Sequence, residues 1–187
     1  MSTRVQYGRV TGDIIDSLRS VLGPENVLAG DERSNYAKDE APNTLPFVPG
    51  LVVKPDSTAS VSRVLRLANE RKIPVTPRGA GTGLSGGAVP IHGGIVLSLE
   101  KMNRIQEIDE DNFTATVEPG VILTNLYQAV EKHGLYYPPY PGEITATIGG
   151  NVATNAGGMR AVKYGVTRNF ILGLEAVLPT GEVIETG

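Results

Sequence analysis

Apolar residues recur every three to four positions in two stretches of the first half of the chain, the spacing of an amphipathic helix. Short apolar runs near these stretches are typical of buried strands. The pattern predicts, in order, a helix at 10–22, a strand at 51–53, a helix from Ser57 to about Arg71 and a strand at 73–76. A strand, a helix and a second strand in succession predict a crossover with parallel strands.

The second half of the chain is dominated by short stretches of alternating or β-branched residues, which are typical of strands. These stretches predict strands at 95–99, 105–109, 114–118, 172–178 and 183–185, with turns at 109–112 and 179–182. A helix is predicted at 122–133, ending at Gly134. Residues 31–49 and the proline-rich stretch 136–142 show no period, so they are predicted to be an extended connection and an irregular segment.

An eleven-residue loop with five glycines, P-R-G-A-G-T-G-L-S-G-G at 77–87, separates two of the predicted strands. Glycine permits positive φ and a close approach of ligand to backbone, so such a loop can turn several N–H groups inward. A nest of amide dipoles suits a phosphate, and Arg78 at its mouth adds a bidentate partner. The other interpretation is a flexible surface turn. The position between two apolar runs favours the ligand-binding loop.

Two common phosphate-binding motifs fit this loop poorly. A P-loop ends in Gly-Lys-Ser/Thr, and no lysine stands between Arg78 and Lys101. Residues 81–86 do satisfy the dinucleotide pattern G-x-G-x-x-G, and Glu100 stands near the place expected for a ribose-binding acid. That pattern must open a helix, however, and the residues that follow, A-V-P-I-H-G-G, exclude one. The sequence therefore predicts a phosphate-binding loop that joins two strands.

A second glycine-rich block, A-T-I-G-G-N-V-A-T-N-A-G-G at 146–158, combines small residues with Asn and Thr side chains. One interpretation is close backbone approach to a ligand with directed hydrogen bonds, and the other is tight helix packing by small residues. Polar groups at Arg160, Lys163 and Tyr164 follow directly. Two distant blocks of this kind suit an extended ligand with a phosphate centre and two aromatic ends, such as a flavin dinucleotide.

Composition narrows the class of protein without identifying a function. Of the 187 residues, 40% are hydrophobic and 20% charged, which is typical of a globular protein. The net charge of −3 favours neither nucleic acid nor an anionic membrane surface as a partner. The absence of cysteine excludes disulfides and cysteine nucleophiles. Because the N-terminus lacks an apolar signal core and the longest uncharged run is rich in glycine, a cytoplasmic location without a transmembrane segment is predicted.

Together, the two glycine-rich blocks resemble the FAD-binding domain of the vanillyl-alcohol oxidase or p-cresol methylhydroxylase (PCMH-type) superfamily. The likeness is strongest to the glycolate oxidase and D-lactate dehydrogenase group, and it covers about residues 50–187, while the N-terminal helix and S-N-Y-A-K-D-E also fit. It implies an α+β (α/β) fold of two subdomains, the second one truncated. Residues 1–49 would form an N-terminal helix and connection, and 50–187 an FAD-binding domain incomplete at its C-terminus.

The resemblance also implies which residues bind FAD. The pyrophosphate loop falls on Arg78, Gly79, Ala80, Gly81, Thr82 and Gly83, with its exit at Ser85 and Gly86. A segment that approaches the flavin falls on Pro141 and Gly142, and Val183 falls on a backbone contact near the adenine. The second cofactor strip falls on Gly149, Gly150, Asn151, Thr154, Asn155, Gly158, Tyr164 and Gly165. Noncovalent FAD is implied because the first loop has no histidine for attachment, and no catalytic residue or metal ligand is implied in this chain.

The resemblance implies a parent enzyme that transfers a hydride from the α-carbon of a 2-hydroxy acid to FAD and passes the electrons to a protein or quinone acceptor. A cap domain for the substrate is expected beyond Gly187, so the chain is interpreted as an inactive N-terminal fragment. A sheet cut at this point would expose strand edges, which predicts a homodimer or fraying near the C-terminus. The parent is expected in the cytoplasm, free or at the periphery of a membrane.

Two alternatives stay open. Another PCMH-type flavoenzyme, such as an alcohol oxidase or a reductase of peptidoglycan precursors, would share both blocks and differ in its cap. A noncatalytic nucleotide-binding module would have this short chain as its natural state. The two histidines, His92 and His133, have no partner at the spacing of a metal site or a catalytic triad, so they are predicted to be structural.

Overall fold

The computed structural model describes residues 6–187, which build two hydrophobic cores. The first core surrounds a four-stranded sheet with the strand order β1-β2-β4-β3. Its strands are β1 at Val27–Leu28, β2 at Leu51–Val53, β3 at Val75–Arg78 and β4 at Ile95–Ser98. Strand β1 is antiparallel to β2, whereas β4 runs parallel to both of its neighbours.

Two amphipathic helices pack on this sheet because each turns an apolar stripe toward it. Helix α1 spans Gly12–Leu22 and α2 spans Thr58–Glu70. Ser57 caps α2, since its Oγ accepts a hydrogen bond from the backbone N–H of Ser60 at 3.3 Å. The buried side chains of the first core are Ile14, Leu18, Val27, Leu51, Val53, Val61, Val64, Ala68, Ile73, Ile95, Leu97 and Met102.

Strand β3 differs from its prediction in position and in pairing. It begins at Val75 instead of Ile73 and continues through Pro77 to Arg78, so the first two residues of the predicted loop belong to the sheet. Proline is tolerated here because β3 is an edge strand, where one side of the backbone makes no ladder hydrogen bonds. The strands that flank α2 are parallel, as predicted, but β4 lies between them and pairs with both.

The second core lies under a helix and a hairpin. Strands β5 at Ile105–Asp109 and β6 at Thr114–Val117 form an antiparallel hairpin with the predicted polar turn between them. Helix α3 spans Leu123–Glu131, and the chain at 136–142 is irregular, as predicted. The buried side chains of this core are Val121, Leu123, Leu126, Val130 and Ile148.

The last third of the chain holds two short helices and a hairpin. Helix α4 spans Ile148–Thr154 and α5 spans Ala161–Tyr164, so the second glycine-rich block is largely helical. The hairpin consists of β7 at Leu174–Val177 and β8 at Val183–Thr186. It packs against α2, where the Ser62 hydroxyl donates to the backbone oxygen of Gly181 at 2.5 Å.

The prediction that residues 31–49 form an entirely extended connection is wrong, because this segment begins with a 3-10 helix at Asp31–Tyr36. Among residues 6–187, no helix is both long and apolar enough to cross a membrane. A mainly parallel sheet, two antiparallel hairpins and packed helices make up the predicted α+β (α/β) fold.

Glu118 connects the end of the β5–β6 hairpin to its beginning. The side chain is buried, and its carboxylate accepts hydrogen bonds from the backbone N–H of Arg104 at 2.7 Å and from the Arg104 guanidinium at 2.6 and 3.0 Å. These hydrogen bonds from Arg104 outweigh burial and lower the pKa of Glu118 below its ordinary value.

We expect this contact to make the stability of the chain depend on pH. Because the folded pKa is lowered, the stabilisation is complete above the unfolded pKa of about 4.3 and disappears as pH falls through the folded value. Between about pH 6 and about pH 3, the Tm of Glu118→Gln should start lower and fall less than that of the wild type. Glu131→Gln, at an exposed position of α3, is the control. Equal pH slopes for wild type and Glu118→Gln would contradict the prediction.

Candidate functional site

The Arg78 side chain lies between the first glycine-rich loop and the N-terminal connection. This side chain is 9% exposed, and Nη1 donates a hydrogen bond to the backbone oxygen of Lys38 at 2.9 Å. The guanidinium lies 5.6 Å from the centre of the Tyr36 ring, within the range of a cation–π contact. Gly81, with φ of +81°, crosses so close to the guanidinium that a Cβ there would overlap Nη2. Burial lowers the pKa of Arg78, although a guanidinium stays charged at neutral pH.

Helix α4 carries the first part of the second glycine-rich block. Thr147 caps this helix, because its Oγ1 accepts a hydrogen bond from the backbone N–H of Gly150 at 3.3 Å. Gly149 donates its N–H to the backbone oxygen of Pro119 at 2.8 Å, and a Cβ on Gly149 would lie 2.6 Å from the Pro119 Cβ. Helix packing, which the sequence left as an alternative, therefore explains the glycine at position 149.

The two glycine-rich blocks meet at Gly79 and Thr147. A Cβ on Gly79 would overlap the Thr147 Oγ1, so only glycine allows this approach. A cavity of about 340 Å³ opens beside the contact. Its lining includes Arg78, Gly79 and Ala80 from the first block, Thr147 from the second, and Tyr36 and Glu100. Backbone amides, a buried cation and polar side chains thus converge on one space.

A polar cluster borders this cavity. Glu100 accepts hydrogen bonds from the Ser98 hydroxyl at 2.8 Å and the Tyr36 hydroxyl at 3.1 Å, and it forms an ion pair with Lys54 at 2.7 Å. Burial favours a higher pKa for Glu100, but hydrogen bonds from Lys54 and Ser98 outweigh it and lower the pKa. Burial likewise opposes the charge of Lys54, whose pKa is raised by its hydrogen bonds to Glu100 and Tyr36. Both groups are therefore charged at neutral pH, and they hold the Tyr36 ring beside Arg78.

The later residues of the predicted pyrophosphate loop lie near the N-terminal connection. The backbone oxygen of Gly83 accepts a hydrogen bond from the N–H of Glu40 at 3.0 Å. Ser85 is exposed. Gly86 adopts φ of +77° with open space around its Cα, so its backbone conformation alone favours glycine. None of the contacts of Thr82 assigns it a role, and its binding function stays a prediction.

Polar candidates of the second block hold α4 to the following chain. Asn151 is buried, and the Thr154 hydroxyl donates to the backbone oxygen of Gly150 at 3.0 Å. Asn155 ends the helix with φ of +50°, and its Oδ1 accepts a hydrogen bond from the N–H of Arg168 at 3.0 Å. These contacts stabilise the block locally, and cofactor contacts for the same residues stay predictions.

The end of the second block touches the proline-rich segment. A Cβ on Gly158 would lie 2.5 Å from the Pro141 Cα, so the two predicted cofactor segments are in contact here. Gly142 has φ of +95°, and Gly165 ends α5 with φ of +94°. The Tyr164 ring stands edge-on to Tyr136, with 6.4 Å between their centres. Val183 pairs with Val177 in the β7–β8 hairpin and is 43% exposed, so its predicted adenine contact is not tested by these neighbours.

A larger cleft of about 2060 Å³ separates the two cores. Its lining is mainly apolar and comes from both cores, and Gly149 is the one predicted site residue along it. A phosphate-containing ligand needs directed polar groups, which converge instead at the smaller cavity. We therefore place the candidate functional site at the smaller cavity.

Neither histidine lines the smaller cavity. The Nδ1 of His133 is 2.6 Å from Glu110 Oε1, and the His92 ring lies tilted against Tyr7 with 5.0 Å between the ring centres. Their structural role stays a prediction. The cavity residues that sequence reasoning missed include Tyr36 and Thr147. A signal existed for Thr147, which stands three residues before Gly150 as an N-cap requires. No sequence pattern connects Tyr36 with the loop.

Comparison with known proteins decides the family. Residues 49–187 match the family described as FAD binding domain. The chain belongs to this family. FAD is therefore the ligand that this domain binds. The missing side chains of Gly79 and Gly81 let Thr147 and the Arg78 guanidinium lie directly against the loop backbone. The loop thus has a buried positive charge beside it, which is the chemistry that a phosphate requires.

Relatives of this FAD binding domain include named enzymes. It is 50% identical over 183 residues to a D-lactate dehydrogenase of Anaerostipes hadrus, covering 97% of this chain and 38% of the relative. It is 46% identical over 180 residues to the glycolate oxidase subunit GlcD of Bacillus subtilis (strain 168), covering 95% and 38%. The chain thus spans less than two fifths of the length of these relatives.

Solved structures confirm the PCMH-type fold. The FAD binding domain superimposes on p-cresol methylhydroxylase with a TM-score of 0.82 at 29% identity, covering 96% of this chain and 36% of that one. An alkyldihydroxyacetonephosphate synthase gives a TM-score of 0.85 at 21% identity, covering 100% and 40%. The second likeness concerns the fold alone.

We expect Gly149→Ala to destabilise the FAD binding domain by about 1–3 kcal/mol, because the added methyl group would press α4 away from Pro119. Unfolding in urea measures the loss. The control is Gly12→Ala at the start of α1, where a Cβ meets nothing within 4 Å and stability should stay equal or rise. Similar stabilities for Gly149→Ala and the wild type would show that α4 tolerates the displacement.

Proposed function

We propose that this chain is the FAD-binding part of a flavin-dependent oxidoreductase that acts on a 2-hydroxy acid. The observation that carries the proposal is the contact between Gly79 and Thr147, which joins both glycine-rich blocks beside a cavity with a buried arginine. A dinucleotide needs such a convergence, because its phosphates and its nucleoside must be held together. The names of the D-lactate dehydrogenase and glycolate oxidase relatives support the substrate class.

Each part of the site has a role in this proposal. The backbone amides from Gly79 to Gly83 and the charge of Arg78 would bind the FAD pyrophosphate noncovalently. Thr147 and α4 would limit the other side of the ligand, and Pro141 with Gly142 would approach the flavin. The bound flavin would supply the redox chemistry by taking up a hydride from the substrate α-carbon. Substrate-binding groups and the electron acceptor, a protein or a quinone, would come from outside this chain.

A visible absorption spectrum tests the proposal. The purified chain is mixed with FAD, desalted and measured, with free FAD carried through the same column as a blank. We expect a flavin band that stays with the protein and that is released by denaturation, as noncovalent binding requires. A colourless protein after this treatment would contradict FAD binding by this chain.

Oxidation of a phenol is the second candidate, because solved structures named p-cresol methylhydroxylase and 4-ethylphenol oxidase share 29% identity with this chain. Reduction of enzyme-bound flavin in the product of the complete gene separates the two candidates. Bleaching by D-lactate or glycolate without bleaching by 4-alkylphenols supports the 2-hydroxy acid, and the reverse supports the phenol.

Self-association through a strand edge also stays a proposal. Strands β3 and β8 each have one side without a partner strand in the part of the chain that the structure describes. Light scattering of the purified chain checks for a dimer, and a monomer with the amides of β8 fully protected from hydrogen exchange would contradict the proposal.

A further inference from the structure

Residues 36–40 lie against the first glycine-rich loop although they precede the part of the chain that matches the FAD binding domain family. Two hydrogen bonds join them to the predicted pyrophosphate segment. One runs from Arg78 Nη1 to the Lys38 oxygen at 2.9 Å, and the other from the Glu40 N–H to the Gly83 oxygen at 3.0 Å. A short stretch of the N-terminal connection therefore contacts the loop at its beginning and again at Gly83.

Asp39 stands between these two contacts and is 5% exposed. Its Oδ1 accepts a hydrogen bond from the backbone N–H of Ala41 at 3.1 Å. Its Oδ2 is fully enclosed and has no hydrogen-bond partner among residues 6–187. A Cβ on Gly83 would lie 3.7 Å from this oxygen, so Oδ2 faces the loop. A buried carboxylate oxygen without a donor is unfavourable, and such groups in native proteins call for an explanation.

We propose that Asp39 is a positioning residue of the phosphate-binding loop, an inference that rests on the proposed function. When the loop binds a phosphate, a backbone N–H close to Gly83 turns onto Oδ2. Because Oδ2 is enclosed, a ligand atom reaches it only by displacing the loop, whereas a loop amide needs only a rotation of its peptide plane. Glycine on either side of Thr82 makes that rotation sterically easy.

The effect of this hydrogen bond is to fix the direction of the neighbouring peptide groups. A peptide whose N–H is held by a carboxylate cannot rotate freely, so the adjoining amides stay directed at the bound phosphate. Arg78 acts on the phosphate by its charge, and the Asp39 carboxylate also faces that charge. The positioning role of Asp39 is exerted through the backbone of the loop. The functional FAD site thus includes residues that lie before residue 49.

The test uses the whole 187-residue chain as Asp39→Asn and Asp39→Ala. Asp31→Asn is the matched control, since Asp31 is exposed and lies in the 3-10 helix of the same connection. Affinity is measured for FAD, and for inorganic pyrophosphate by competition with FAD. In both Asp39 variants we expect the two affinities to fall together by about tenfold to a hundredfold, the usual loss for a hydrogen bond to a charged group. In Asp39→Asn, which keeps an acceptor for the Ala41 N–H, the Tm of the cofactor-free chain should stay equal or rise, because the unpaired carboxylate oxygen has been removed.

Unchanged affinities in both Asp39 variants overturn the proposal. So does a fall in the cofactor-free Tm of Asp39→Asn large enough to account for the weaker binding, because Asp39 would then have only a structural role. Weaker binding of FAD with unchanged binding of pyrophosphate also overturns it, since Asp39 would then act on the nucleoside. If the wild-type chain itself binds no FAD, the proposed function fails, and this outcome is distinguishable from any effect of Asp39.

Discussion

Gly79→Ala is expected to weaken FAD binding by about a hundredfold. The new Cβ would overlap the Thr147 Oγ1. Thr147 cannot turn away without cost, because the same oxygen caps α4 and the residue is 5% exposed. The two glycine-rich blocks must therefore move apart, and the cavity between them loses its shape. Titration of FAD against the purified variant measures the loss.

A second substitution distinguishes this clash from a general loss of loop flexibility. In Gly79→Ala combined with Thr147→Ala, the overlapping oxygen is absent, and we expect most of the affinity to return, while the missing helix cap lowers the folding stability by about 1 kcal/mol. In Gly79→Ala combined with Thr147→Val, a methyl group occupies the place of the oxygen, so binding should stay weak. Equal affinities for the two double variants would show that the contact with Thr147 is not the cause.

The second large effect is expected for Arg78→Met, which keeps most of the side-chain length and removes the charge. Loss of charge-assisted hydrogen bonds to the pyrophosphate should weaken FAD binding by about a hundredfold. The free energy of unfolding without FAD should also fall, because Met leaves the Lys38 oxygen without this donor and the buried Asp39 without its neighbouring positive charge, so titrations are made under conditions in which the variant is folded. Titrations at low and high salt provide a further measurement, since the wild type should weaken with salt more steeply than the variant.

Arg63→Met is the control for this experiment. Arg63 is an exposed residue of α2, so its substitution changes the net charge of the chain by the same amount away from the site. FAD affinity and its salt dependence should match the wild type. If Arg78→Met also binds FAD like the wild type, the phosphates lie elsewhere and the placement of the loop in this proposal is wrong.

Local patterns in the sequence were sufficient for most of the secondary structure. The start of α2, the polar turn of the β5–β6 hairpin and the ends of α3 depend on neighbouring residues, and each was predicted within one or two positions. The insertion of β4 between β2 and β3 was not predicted, because strand pairing depends on residues far apart in the chain. Residues 31–36 have no periodic spacing of apolar residues, so the sequence did not indicate that they form a 3-10 helix.

The candidate site could be predicted only in part. Both glycine-rich blocks could be recognised in the sequence, because a high local density of glycine and asparagine indicates turns or a close approach to the backbone before the fold is known. Small residues pack helices as well as they bind ligands, however, and the sequence could not tell that Gly149 contacts Pro119. Tyr36 and Asp39 belong to S-N-Y-A-K-D-E, which fits the family resemblance but does not by itself indicate a contact with the first loop. Their contribution depends on tertiary contacts with Arg78 and Gly83, which no local pattern records.

The parallel pairing of β3 and β4 limits how the first loop can change in length. Parallel neighbours need a connection that returns along the whole strand, and this role usually falls to a helix. Here residues 79–94 make the return without one, over four paired positions or about 13 Å. An extended chain covers about 3.3 Å per residue, so residues 79–94 are several times longer than this return requires. The sheet therefore sets only a minimum length for the segment. Short deletions in its later part should leave the register of β4 unchanged, and folding should fail only when the remaining residues can no longer reach from the end of β3 to the start of β4.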